Sequence, residues 1–174
     1  MPESTIQLGN AATATAAASV AAVRYAVFRR HRQFFGLSIE FVTEVLPGQP
    51  LTRVPRGHRD LLGVLSLRGE ILPVISIDAL LNLEPRPDDP TLPILVLRRR
   101  DLLAGLRVDA IQSVISLNAA EIQPHPAGHD THFAGIWQFA GDTAITLTLL
   151  SGAKLLDALC HQTTSAFPSL QITN

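Results

Sequence analysis

A chain of 174 residues, 47% hydrophobic and 17% charged, has apolar material for one domain core or two intimately joined small ones. A formal net charge of −1 asks for neither nucleic acid nor an anionic membrane as the main ligand. The single cysteine, Cys160, excludes an internal disulfide and fits a reducing compartment, and no apolar run is long enough for direct membrane insertion, so a cytoplasmic location is expected.

Residues 1–22 read as an Ala/Thr-rich tail, disordered or loosely helical, because no amphipathic stripe anchors them. Glu3 stands where a signal peptide would carry basic residues. From Val23 the texture changes. Tyr25 to Phe28 reads as a strand, Arg29 to Gln33 as a polar turn and Phe34 to Leu37 as the returning strand. Ile39 to Leu46 carries apolar residues around Glu40 and Glu44 and ends at Pro47-Gly48. Two apolar strands, Leu62 to Leu67 and Ile71 to Ile75, meet at a tight turn, Arg68-Gly69-Glu70, where Gly69 supplies the positive φ. That turn sets a lone arginine between two runs expected to be buried, so its donors need a carboxylate or carbonyls. Asp78 to Leu83 looks helix-like, and three prolines in residues 84–90 mark a linker.

The second half repeats the texture. Strands are expected at Leu92 to Leu97, Leu102 to Val108 and Ile111 to Leu117, then a short helix over Ser116 to Ile122 with Glu121 as capping-box partner of Asn118. Phe133 to Phe139 and Ala144 to Leu150 form a hairpin around Gly141-Asp142, and Lys154 to Leu159 a terminal helix with Leu155, Leu156 and Leu159 on one face. About ten short strands in two groups point to an all-β fold with a few short helices. The pattern alone does not choose between barrels and sandwiches.

The run Leu62-Gly63-Val64-Leu65-Ser66-Leu67-Arg68-Gly69-Glu70-Ile71-Leu72-Pro73-Val74 resembles the signature of the CheW-like chemotaxis coupling (adaptor) family. Gly36-Leu37-Ser38-Ile39, Gly105-Leu106-Arg107-Val108-Asp109 and Phe133-Ala134-Gly135-Ile136 are similar to three further strands of that family. The resemblance spans roughly Arg24 to Leu156. It implies two intertwined five-stranded SH3-like β-barrels over residues 23–160, with residues 161–174 as a C-terminal tail. It further implies a non-enzymatic scaffold without a cofactor. Such a scaffold would couple the regulatory domain of a CheA-type histidine kinase to the cytoplasmic tip of a methyl-accepting chemoreceptor, with self-association permitted. In the family an acidic residue pairs with the turn arginine, which implies a Glu44–Arg68 salt bridge around a partly buried arginine. The pair would shape a partner-binding surface or merely staple two strands. Leu65, Leu67, Ile71 and Val74 join it as candidate interface residues. Ser76 and Asp78 stand where the family has an acidic and a basic residue. That departure leaves open an adaptor for a type IV pilus, twitching or surface-sensing pathway.

Other chemistry is thinly represented. There is no GxGxxG, P-loop, GxSxG, HExxH or CxxC pattern, and the Cys160–His161 neighbours point different ways on a helix. His125, His129 and His132 could in principle bind a metal, but their spacing matches no fixed motif. A small ligand- or metal-binding β-barrel is therefore the rival of another class. Arg98-Arg99-Arg100-Asp101 reads as a solvated hairpin tip, and at least one of Trp137 and Phe139 as core.

Overall fold

The computed structural model describes residues 22–55, 57–126, 128, 132–139 and 145–166, with side chains through residue 159. Its strands are β1 (Val23–Arg30), β2 (Gln33–Ser38), β3 (Val42–Leu46), β4 (Leu61–Leu67), β5 (Glu70–Ile75), β6 (Ile94–Arg99), β7 (Leu102–Arg107), β8 (Ala110–Leu117), β9 (Phe133–Phe139) and β10 (Ile145–Leu150). Helix α1 (Gly152–Ala166) follows, running past residue 161, where the tail was expected to begin. The N-terminal tail, the Gly141-Asp142 turn and residues 167–174 lie outside the described residues.

Two five-stranded sheets form, ordered β8-β1-β2-β10-β9 (barrel A) and β3-β6-β7-β5-β4 (barrel B). The proline linker divides the chain but not the barrels. Each barrel takes a hairpin from one half of the chain and three strands from the other, because the chain crosses over after β2 and again after β7. The two halves match strand for strand. β10 runs parallel to β2 as β5 does to β7, and the bulge at Thr43 in β3 recurs at Gln112 in β8. The bridge Thr52–Val64 corresponds to Gln123–Ile136. The sequence carries the same correspondence: Gly36-Leu37-Ser38-Ile39-Glu40 against Gly105-Leu106-Arg107-Val108-Asp109.

Burial explains the pattern. Tyr25, Val27, Leu147 and Leu149 fill barrel A, and Leu72, Val74, Ile94 and Val96 fill barrel B. The largest cluster lies between them, where the outer faces of β1, β2, β6 and β7 bring Phe28, Phe35, Leu37, Leu95, Leu97, Ala104 and Leu106 together under Leu155, Leu156 and Leu159 of α1. Strands buried on both faces read as continuous apolar runs, so Ile94 to Leu97 shows no alternation. Gly36 and Gly105 each face a crowded barrel interior, where an added Cβ would lie 2.8 Å from Leu149 and from Ile94 respectively.

The expected Asp78–Leu83 helix is instead a pair of turns, with Leu81 N donating to Ile77 O at 3.0 Å and Leu83 N to Asp78 O at 2.8 Å. Asn82 takes a left-handed φ of 55°, which stops propagation. The expected helix after β8 is one 3₁₀ turn (Ala119–Glu121), and Glu121 reaches back to the Asn118 N–H at 2.8 Å.

Candidate interaction surface

Three hairpins turn in two residues: His31-Arg32, Arg68-Gly69 and Arg100-Asp101. Tight hairpins that match strand twist need positive φ, and Arg68 (52°) and Gly69 (88°) both supply it. Arg68 is thereby thrust outward. Its side chain is 79% exposed, which corrects the expectation of a partly buried arginine: the buried runs end before the tip.

Arg68 Nη2 donates to Glu44 Oε2 at 3.2 Å. β3 and β4 are the two edges of barrel B's sheet, so this pair crosses the seam where the sheet closes on itself. Arg98 on β6 donates to Glu70 on β5 across β7, and it holds the Glu70 carboxyl below the usual carboxylate range. Thr43 Oγ1 donates to Val96 O at 3.3 Å, and Leu67 and Leu103 line the small cavity beneath these groups. The mouth of barrel B is therefore closed by two charged straps. Ile71 stands beside them, 67% exposed, on the face opposite Leu72. Leu65 and Leu67 are half-buried against the barrel core, while Val74 is fully buried within it. Val74 thus supports the surface from inside and touches no partner, because its place on β5 alternates with outward residues.

In barrel A the mouth differs. Ser113 occupies the place of Glu44, and its buried Oγ has no hydrogen-bond partner among the described residues. Trp137 packs against barrel A's core, its ring 6.0 Å from that of Phe139, which is 39% exposed.

Two buried arginines were not anticipated. Arg30, at the end of β1, donates from Nε and Nη2 to both oxygens of Asp78 at 2.6 Å and from Nη1 to Asp109 at 3.0 Å. The Arg30 and Asp78 side chains are 4% and 2% exposed. Asp109 also accepts from the His31 N–H at 2.7 Å, and Arg86 Nη1 lies 3.6 Å from it. Burial opposes both charges, yet the mutual hydrogen bonds and attraction outweigh it. Asp78 is held below, and Arg30 above, their ordinary values. Arg30 belongs to barrel A and Asp78 to the turns that follow barrel B's β5, so the cluster locks the junction. Ser76 and Asp78, the two departures from the family pattern, are both buried here. They bear on the junction rather than on a contact surface. The second arginine, Arg107, donates to Asp88 at 2.9 Å, Leu92 O at 2.8 Å and Gln49 O at 3.1 Å, tying down the proline linker. The one available signal was an acidic residue, Asp78 or Asp109, set among apolar neighbours.

The histidine loop is split. The His125 ring stacks on Phe133 at 4.0 Å, the buried His132 Nδ1 has no hydrogen-bond partner among the described residues, and His129 lies outside them. Among the described residues no three potential ligands converge on a metal site, and no helix is long and apolar enough to cross a membrane.

A family model described as the CheW-like domain matches residues 24–160. A probable chemotaxis protein CheW from Rhizobium etli is 34% identical over 99 residues, covering 57% of this chain and 64% of that protein. The chain thus spans just under two thirds of that relative's length. Protein FrzA of Myxococcus xanthus is 32% identical over 124 residues, covering 70% of this chain and 77% of that protein. The crystal structure of the scaffolding protein TtCheW from Thermoanaerobacter tengcongensis superposes with a TM-score of 0.65 at 25% identity, covering 75% of this chain and 90% of that one.

Proposed function

The chain belongs to the CheW-like domain family, and from that premise we propose that it is a non-catalytic cytoplasmic adaptor coupling a CheA-type histidine kinase to methyl-accepting chemoreceptors. The observation that carries this reading is the mouth of barrel B. There an exposed apolar side chain, Ile71, is framed by Arg68–Glu44 and Arg98–Glu70, with no convergent catalytic groups beside it among the described residues. An apolar anchor ringed by charged pairs suits a modest, reversible protein contact. An adaptor acts by geometry: holding kinase and receptor together raises their effective concentration.

Reconstitution tests this. Adding the protein to receptor-bearing membranes and the host's CheA-type kinase is expected to raise kinase autophosphorylation severalfold, and Arg68→Ala is expected to remove most of the rise. Because the Arg68–Glu44 pair is exposed, its loss costs only about 0.2–1 kcal/mol of stability, so thermal unfolding of Arg68→Ala stays close to wild type. A full rise with Arg68→Ala would move the contact elsewhere, and no rise at all would sink the reading. A second reading, an adaptor of a pilus or surface-sensing pathway, is favoured by the FrzA similarity. It predicts the same behaviour with that pathway's kinase and receptor.

A further inference from the structure

The correspondence between the two halves places a recess in register with the buried Arg30 cluster. The recess is lined by Glu40, Phe41, Arg98, Arg99, Arg100 and Ala153. Aligning Gly36 with Gly105 sets Glu40 in the place of Asp109, and aligning the two hairpins sets Arg99 in the place of Arg30 and Arg100 in the place of His31. The turn residues His31 and Arg100 share nearly the same backbone, with φ of 56° and 55°. Ser76 N donates to Asp60 O as Ser151 N does to His132 O, so two residues further on Ala153 stands where Asp78 stands.

The two places differ in their carboxylates: Asp109 accepts from Arg30 whereas Glu40 accepts from Ser38, and Asp78 gives way to Ala153. In the first, Asp78 fills the site and takes Nε and Nη2 of Arg30. In the second, alanine offers nothing. Arg99 uses only Nη1, at 3.3 and 3.4 Å from Asp157, so its Nε and Nη2 have no hydrogen-bond partner among the described residues. Arg100 makes no ion pair among the described residues. Phe41 lies against the first turn of α1, where a Cβ on Gly152 would fall 2.4 Å from its ring. One wall of the recess is therefore rigid.

We propose that this recess receives a carboxylate presented by a partner protein, an exposed Asp or Glu side chain that engages Arg99 and Arg100 as Asp78 engages Arg30. Glu40, Glu70 and Asp157 balance the three arginines, so net charge does not attract the ligand. The unfilled fork of Arg99 does, since a planar guanidinium binds a carboxylate through two parallel hydrogen bonds. Arg99 and Arg100 would take this carboxylate whichever kinase or receptor the protein serves.

The test is side-chain NMR of the ¹⁵N-labelled full chain, following the Arg99 Nε–H resonance during titration with the peptide acetyl-Ala-Ala-Glu-Ala-Ala-amide and its Gln counterpart. The Glu peptide is expected to give a saturable shift at least tenfold larger than the Gln peptide. Ala153→Asp supplies the missing carboxylate from the chain itself and is expected to abolish the response, whereas Ala153→Asn retains it. Position 153 lies in the first turn of α1, where a negative charge is favourable, so the variant folds. An unmoved Arg99 resonance overturns the proposal. So does an equal shift at Arg59, whose side chain is 82% exposed, or an equal response to free acetate, which would make this a small-anion site.

Discussion

Arg30→Ala is expected to cost about 3–5 kcal/mol of folding stability, the usual penalty for stranding one partner of a buried ion pair. The substitution leaves the carboxylates of Asp78 and Asp109 facing each other, with the half-exposed Arg86 side chain near Asp109 and the His31 ring, its Nε2 3.6 Å from Asp78, as the side chains beside them. Urea unfolding monitored by circular dichroism reads the loss. At about 2–4 °C per kcal/mol for a chain of this size, melting falls by roughly 10 °C. Asp78→Ala fares similarly, while the pair Arg30→Met with Asp78→Leu recovers most of the loss, because an apolar pair of similar volume carries no desolvation cost. The sign of the pH dependence follows from Asp78. Its folded-state pKa lies below its ordinary value, so its contribution is fully present above about pH 4, near the ordinary aspartate pKa. It is lost as pH falls through the depressed value. Wild type is therefore expected to lose more stability on acidification than the Met/Leu variant, and equal acid sensitivity would remove the cluster from its structural role.

Arg107→Ala is expected to cost about 3 kcal/mol, since it strands a carboxylate and two carbonyls at once. Arg107 is 1% exposed, and it fastens Asp88, Leu92 and Gln49 to the end of β7. A second readout is local. With the clamp gone, residues 84–90 open more often, so limited proteolysis there accelerates at least tenfold, tracking the open population. Slower or unchanged cleavage would mean that the prolines alone hold this segment.

The sequence disclosed the ten strands and the arginine turn because alternation, Gly-bearing turns and proline breaks are local signals. It did not disclose the buried charge clusters. Arg30 sits in Arg29-Arg30-His31-Arg32, which reads as a polar turn, and its partners lie 48 and 79 residues away. Nor did strand patterns show which strands share a barrel. The proline linker falls between the two halves of the chain, yet β1 and β2 close with β8, β9 and β10. The correspondence of Gly36 to Glu40 with Gly105 to Asp109 was the available clue, short enough to be missed. The exposure of Arg68 and Ile71 was hidden for another reason: a residue at a strand tip carries the same apolar neighbours whether it points in or out.

The swapped halves also couple the two barrels. Each barrel is completed by the other half of the chain, and the largest apolar cluster lies between them, so neither barrel is complete alone. The proposed adaptor role, whose work is positioning, would benefit from such a junction.

The most direct measurement of the central claim is a calorimetric titration of the full chain with the isolated regulatory domain of the host's CheA-type kinase, with Ile71→Asp beside wild type. Wild type is expected to bind with micromolar or tighter affinity, weakened at least tenfold by Ile71→Asp with melting temperature unchanged. Wild-type binding that Ile71→Asp leaves intact, or no binding to any such kinase in the host, would contradict that claim.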